Sequence, residues 1–233
     1  MPNGSTPSFV YTAQLLTSVE RTVSRERLKR YLAATKNDME RALRLYEANL
    51  ALSETLYGVL HGVEITVRNA MHHDLTAGYK TEHWYDSGPL TPYLTIKVNE
   101  AKRRAGGSPA FAGKVVAELS FGLWTDLAAH RNHWLFWVPH LHKSFPNATV
   151  RRPIIHGRLE DIRRLRNRIA HHEPILTSQN TVYVGHGKYL ALAQIDECVG
   201  WVCADTAAWL KARSRFDLAV SILARVHDTG ITF

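Results

Sequence analysis

The sequence is organised around residues 155–175, which read IHGRLEDIRRLRNRIAHHEPI. Apolar side chains recur here every three or four residues, and this spacing predicts an amphipathic helix with one buried face. The repeating positions are Ile155, Leu159, Ile162, Leu165 and Ile169. Proline disfavours the helical conformation in the residue before it and cannot donate to the preceding turn, so Glu173-Pro174 should end the helix within a residue or two. His171 and His172 are then expected in its last turn.

Three polar side chains near the end of this predicted helix form a candidate site. At about 100° per residue, Arg166 falls within the apolar stripe, where a guanidinium is costly to bury unless an anion meets it. Asn167 and His171 are four residues apart and share one flank of the helix. Arg166 is about 100–140° from that flank, which its long side chain can partly cover. One side of the helix would then offer an imidazole, an amide and a permanent cation.

The same residues carry a resemblance to a known superfamily. Arg166-Asn167 followed after three residues by His171 resembles the Arg-x(4 to 6)-His signature of the HEPN superfamily of small helical RNases and nucleotide-binding domains. Within it, residues 165–175 resemble the bacterial Abi-like (abortive infection) family. Five other segments match that family's pattern in the same order: 27–32 (RLKRYL), 42–49 (ALRLYEAN), 63–69 (VEITVRN), 117–124 (AELSFGLW) and 145–147 (FPN). The likeness covers roughly residues 24–215.

Composition and charge agree with a helical chain that meets an anionic partner. The 233 residues are 45% hydrophobic, which is ample for a packed core, and alternating apolar runs are scarce. We therefore expect an all-α fold, and the resemblance specifies a multi-helix HEPN-like bundle with a long central helix and an elaborated C-terminal helical part. We expect one Abi-like domain over 1–233, with a disordered tail at 1–8 and a core over roughly 24–226. The formal charge of +8 favours a polyanion or an acidic protein.

Periodicity and capping residues predict the individual helices. Ser24 is expected to cap a helix at Arg25–Ala34, and Asn37 with Glu40 resembles the capping box of the long helix, over 38–77, as one rod or two nearly collinear pieces. Further helices are predicted over 11–19, 93–105, 114–129, 194–212 and 216–226. The polar, turn-rich segment 177–190 is expected to form a small hairpin or a loop. The aromatic side chains expected to fill the core are Trp134, Phe136 and Trp137.

The resemblance implies a metal-independent endoribonuclease that cleaves RNA through attack of the ribose 2′-OH and acts in bacteriophage defence. His171 would be the general acid or base, Arg166 the phosphate clamp and transition-state stabiliser, and Asn167 the orienter of His171 or of the phosphate. One imidazole cannot perform both proton transfers in the same step. Either His172 is the second group, or a homodimer formed through the motif helix brings two copies of His171 together, and the resemblance favours the dimer.

Further basic side chains are candidates for RNA binding. Arg163, Arg164 and Arg168 would follow the RNA backbone from the motif helix, together with His172, although His172 also suits the capping of helix carbonyls. An echo of the motif lies earlier in the chain: Arg68-Asn69 is followed by the histidine pair that ends at His73. Two interpretations fit this echo, a second RNA- or subunit-contacting cluster and a polar cluster that fixes helix packing.

We expect no metal and no cofactor. His130 and His133 have a spacing compatible with metal ligation, but no third ligand is placed. Cys198 and Cys203 are expected as small buried hydrophobes in a reducing compartment. The chain lacks a membrane-spanning run and a recognisable signal peptide, which predicts a cytoplasmic protein without membrane contact.

A rival interpretation keeps the fold and removes the chemistry. The chain would then be a non-catalytic RNA-binding or toxin–antitoxin-like interaction module. In either case a neutralising partner, RNA or protein, is compatible with the resemblance.

Overall fold

The computed structural model describes residues 10–107, 111–177 and 181–230, so the tail predicted at 1–8 lies outside the described residues. Within these ranges the chain is mostly helical, as predicted, with one two-stranded sheet. The likeness of this bundle to the HEPN fold stays a prediction. The helices are α1 (Ala13–Val23), α2 (Arg25–Ala34), α3 (Met39–Tyr79), α4 (Trp84–Ser87), α5 (Pro92–Arg104), α6 (Ala112–Glu118), α7 (Phe121–Leu127), α8 (Arg152–Ala170), α9 (Leu192–Val202), α10 (Ala204–Arg213) and α11 (Phe216–Asp228).

Helix α3 is the predicted central helix, and it runs unbroken for 41 residues. Its cap is Asp38, whose side chain accepts a hydrogen bond from the Arg41 amide at 3.0 Å. Asn37, the predicted cap, instead adopts a left-handed conformation with φ 65° one residue earlier. The helix continues through Gly62, where Leu210 of α10 approaches so closely that an added Cβ would lie 3.0 Å from that side chain.

The core forms around α3, which packs against α2, α4, α7, α8, α9 and α11. Buried side chains recur along one stripe of α3, from Leu43 through Leu56 and Val67 to Leu75. They join one contiguous apolar cluster that extends from Leu28 in α2 to Val226 in α11. Because this long helix contacts so many others, it is the scaffold on which α8 is positioned.

Two predicted helices are each divided in two. The helix expected over 114–129 breaks at Leu119 and Ser120, which have extended backbone. Leu119 and Phe121 are both buried, and two residues about 200° apart cannot face the same side of a straight helix. The helix expected over 194–212 likewise breaks at Cys203, which is extended and half-buried, whereas Cys198 is fully buried as predicted.

Of the two structures predicted for the polar segment after α8, a hairpin or a loop, the segment forms the hairpin. Strand β1 (Thr181–Gly185) pairs antiparallel with β2 (Lys188–Ala191), and the Tyr183 amide also donates to the carbonyl of Ile175 at 2.9 Å. The hairpin therefore closes over the end of α8.

The connection from α7 to α8 is made of short 3₁₀ and π turns at His130–Asn132, His133–Trp137 and Leu141–Ser144. Phe136 and Trp137 are buried there as predicted, but the prediction for Trp134 is wrong, because 78% of its surface is exposed. The π turn spaces these neighbouring aromatic residues so that only some of them face inward. In the part of the chain that is described, no helix has the length and apolar character needed to cross a membrane.

Candidate functional site

Helix α8 ends in a tightly hydrogen-bonded turn. The amide of Glu173 donates to the carbonyl of Arg168 at 2.8 Å, and the amide of His172 donates to that of Ile169 at 3.0 Å. This pair of bonds is a Schellman motif, with His172 in the left-handed position at φ 56°. The last helical residue is Ala170, so both histidines lie just beyond the helix and not in its last turn. The left-handed turn ends the helix slightly before the proline requires it.

The segment that follows the turn is held from two sides. The buried side chain of Asn49 in α3 accepts hydrogen bonds from the amides of Ile175 and Leu176 at 2.8 and 3.2 Å. Arg27 of α2 donates to the carbonyl of His172 at 2.8 Å. These long-range bonds fix where the α8 terminus lies on the bundle. These bonds therefore also fix the position of the backbone at His171.

The three motif side chains reach the surface. Arg166 does not enter the buried stripe: 44% of its side chain is exposed, because the stripe drifts around α8 and leaves this residue at its edge near the helix end. Asn167 is half-buried and His171 is exposed. Within the described ranges, the side chains of Asn167 and His171 make no hydrogen bond to protein. Their polar atoms are available to a ligand.

Arg166 lines a groove between α3 and α8. Its lining residues are Tyr57, Leu60, His61, Glu64, Ile65, Arg68 and Arg166.

 The volume of the groove is about 270 Å³. Across it, Nε of Arg166 lies 3.8 Å from a carboxylate oxygen of Glu64. At that distance the two groups form an ion pair but no hydrogen bond, so the N–H groups of the guanidinium remain available to a ligand.

The other arginines of the motif helix are held by protein partners. Arg163 forms two-pronged hydrogen bonds to Glu160, with the shortest at 2.8 Å, and Thr125 donates to the same carboxylate at 2.6 Å. Burial alone would raise the pKa of Glu160, but the hydrogen bonds from Arg163 and Thr125 outweigh it and hold the pKa below its ordinary value. The bond to Glu160 in turn raises the pKa of Arg163. The hydrogen bond from Thr125 to Glu160 joins α7 to α8.

Arg164 and Arg168 differ in how firmly they are engaged. Arg164 lies 3.9 Å from Asp161, a loose pair on the helix surface. Only 18% of the Arg168 side chain is exposed. It pairs with Glu173 at 2.7 Å and donates a hydrogen bond to the carbonyl of Pro174 at 2.8 Å. Arg168 thus closes the turn after α8, and Arg164 is the less firmly engaged of the two.

The echo of the motif in α3 is divided among different surroundings. Arg68 lines the groove beside Arg166, and its Nε donates to the side chain of Asn69 at 3.2 Å. His73 is 83% exposed beside Asp74. Its neighbour His72 is half-buried and accepts a hydrogen bond from Trp84 at 3.1 Å, and burial lowers its pKa. The structure therefore brings Arg68 to Arg166, while His73 faces solvent.

Three groove residues of α3 were not among the predicted site residues. Tyr57, His61 and Glu64 precede Arg68 at spacings of four, three and four residues, which places all four on one face of the helix. This polar spacing was visible in the sequence. Which helix would lie against that face was not, because the partner of a helix face is a tertiary property.

No group of three or more histidine, cysteine, aspartate or glutamate side chains in the described ranges is arranged to hold a metal ion. Comparison with known proteins adds no family to these observations: no protein-family model, curated protein or solved structure matches this chain significantly. The Abi-like resemblance stays a prediction.

Proposed function

We propose that this protein is a metal-independent endoribonuclease of the HEPN type, acting on RNA in bacteriophage defence. The observation that carries the proposal is the end of α8. A firmly held turn presents Arg166, Asn167 and His171 at the surface, and their polar atoms are not used up by neighbouring protein groups in the described ranges. A motif that served only to cap buried helix ends would be engaged with carbonyls there.

The chemistry needs no group beyond RNA and these side chains. RNA supplies its own nucleophile, the ribose 2′-OH. A base takes the proton of that hydroxyl as its oxygen bonds to phosphorus, and an acid gives a proton to the 5′ oxygen as the bond between that oxygen and phosphorus breaks. The products are a 2′,3′-cyclic phosphate and a 5′-hydroxyl. Arg166 would stabilise the negative charge on the phosphate oxygens, where a fixed guanidinium acts most strongly.

The proposal includes a homodimer formed through α8. The reaction has two proton transfers, and His172 contributes its backbone to the Schellman turn while its side chain is exposed. A twofold axis beside the α8 terminus would bring two copies of His171 toward one phosphate. RNA backbone contacts are assigned to Arg164, with Arg163, Arg168 and His172 as further candidates and with Arg68, Asn69 and His73 on α3.

One observation favours a second candidate, binding without cleavage. Glu64 lies in the groove beside Arg166, and its carboxylate repels a phosphate that approaches the guanidinium. In this alternative the groove serves a non-catalytic interaction with RNA or with a neutralising partner.

A cleavage assay separates the two candidates. The purified protein is incubated with total RNA in EDTA, and the ends of the products are identified. We expect cyclic phosphate and 5′-hydroxyl ends from the wild type. His171→Ala should reduce cleavage by about 10²–10⁴-fold, the usual contribution of a general acid or base. RNA binding should change little.

The matched control is His227→Ala, an exposed histidine in the last turn of α11. It should cleave as the wild type does. Wild-type protein that binds RNA in a salt-dependent manner and leaves it intact would exclude the nuclease and support the binding module.

A further inference from the structure

We propose that the groove between α3 and α8 receives the scissile phosphate and that His61 is a catalytic residue, the second proton-transfer group of the reaction. This inference rests on the proposed function and deepens it. In the proposed reaction, His61 takes the place that the dimer gave to a second copy of His171, and it also replaces the alternative His172. The observation behind it is the shared lining of the groove by His61 and Arg166.

The groove brings together polar and charged side chains from two helices. Tyr57, His61, Glu64 and Arg68 lie on one face of α3, and Arg166 reaches the same space from α8. Both helices are well packed along their buried stripes, so the lining side chains start from rigid backbones. Ligand pockets for whole small molecules occupy roughly 300–1,000 Å³. The groove is smaller than that range, and this size suits a phosphate with its adjoining ribose.

The charges of the groove match a phosphodiester. Arg68 and Arg166 contribute two positive charges and Glu64 one negative charge, which leaves an excess of one positive charge against the single negative charge of the ligand. Arg166 is 3.8 Å from Glu64 and not hydrogen-bonded to it, so its fork of donors can turn to phosphate oxygens. Arg68 uses Nε on Asn69 and has its terminal amino groups left for the same purpose.

His61 is suited to proton transfer by its position. The residue is exposed, and its imidazole makes no hydrogen bond within the described part of the chain. The groups that face it in the groove are Tyr57, Glu64 and Arg68 from α3 and Arg166 from α8. His171, which follows Arg166 by five residues and lies outside the lining of the groove, would supply the other imidazole. One takes the 2′-OH proton and the other protonates the 5′ oxygen.

The test compares His61→Ala and His61→Asn with the control His227→Ala in the EDTA cleavage assay. Both His61 variants should lose about 10²-fold or more in cleavage rate, because asparagine preserves polarity but cannot transfer a proton near neutral pH. Circular dichroism should be unchanged, since the side chain is exposed. The pH–rate profile of the wild type should be bell-shaped. Both His61 variants should lose the same limb of that profile, and His227→Ala should keep both limbs.

The outcomes separate the inference from the function it rests on. If the wild type cleaves, His171→Ala is inactive and His61→Ala cleaves at the wild-type rate, the role of His61 is refuted and the nuclease stands. If the wild type cleaves no RNA, the proposed function fails and the catalytic role of His61 fails with it.

The groove itself is tested without any reaction. Titration with inorganic phosphate should shift the NMR signals of the His61 ring in the wild type and not in Arg166→Ala. Wild-type signals that do not move would refute the groove as a phosphate site.

Discussion

Asn49 should be among the most sensitive positions outside the apolar core. It is only 2% exposed, and its side-chain oxygen accepts both the Ile175 and the Leu176 amides, residues that follow the α8 turn. Asn49→Ala would leave these two buried donors unpaired, and each costs about 1–3 kcal/mol. We therefore expect the free energy of unfolding to fall by about 2–6 kcal/mol. For a chain of this length, a loss of 3 kcal/mol lowers Tm by roughly 6–12 °C.

Urea denaturation followed by circular dichroism measures this loss, and amide hydrogen exchange shows where it falls. The amides of Ile175 and Leu176 should lose protection more than those of the middle of α3. Asn69→Ala is the matched control, because Asn69 is an exposed asparagine of the same helix and should change stability by no more than about 0.5 kcal/mol. An Asn49→Ala protein as stable as the Asn69→Ala protein would refute the anchoring of the α8 terminus by this side chain.

Two further predictions concern packing and pH. Glu160→Gln should destabilise the protein by about 1–3 kcal/mol at pH 7, since it weakens the bonds to Arg163 and Thr125. Because the pKa of Glu160 is lowered in the fold, that contribution is full above its ordinary value near 4.5 and is lost as the pH falls through the lower folded value, so urea denaturation at pH 7 and at acid pH should show the gap between wild type and variant closing. Gly78→Ala should lower the free energy of unfolding by about 1–2 kcal/mol, because an added Cβ would lie 2.1 Å from the His140 ring. Gly58→Ala, in open space on the same helix, should instead raise it by about 0.5–1 kcal/mol, and equal effects of the two substitutions in thermal denaturation would contradict this reasoning.

Local pattern was enough for the helices and for their caps in several cases. Helix α2 begins and ends as predicted, because Ser24 caps it and its apolar face is read directly from Leu28, Tyr31 and Leu32. The breaks at Leu119 and Cys203 were not predictable in this way. Both segments keep a helical period, and only the shape of the surrounding core makes a turn more favourable than a straight helix.

The residues of the candidate site divide in the same manner. The sequence by itself determined that Arg166, Asn167 and His171 come near the end of an amphipathic helix, because periodicity and a proline are local signals. Only the tertiary structure decided that Arg166 leaves the buried stripe and meets Glu64, Arg68 and His61 across a groove. Those groups are about a hundred residues away in the chain, and their approach depends on how α8 packs against α3, which no local pattern encodes.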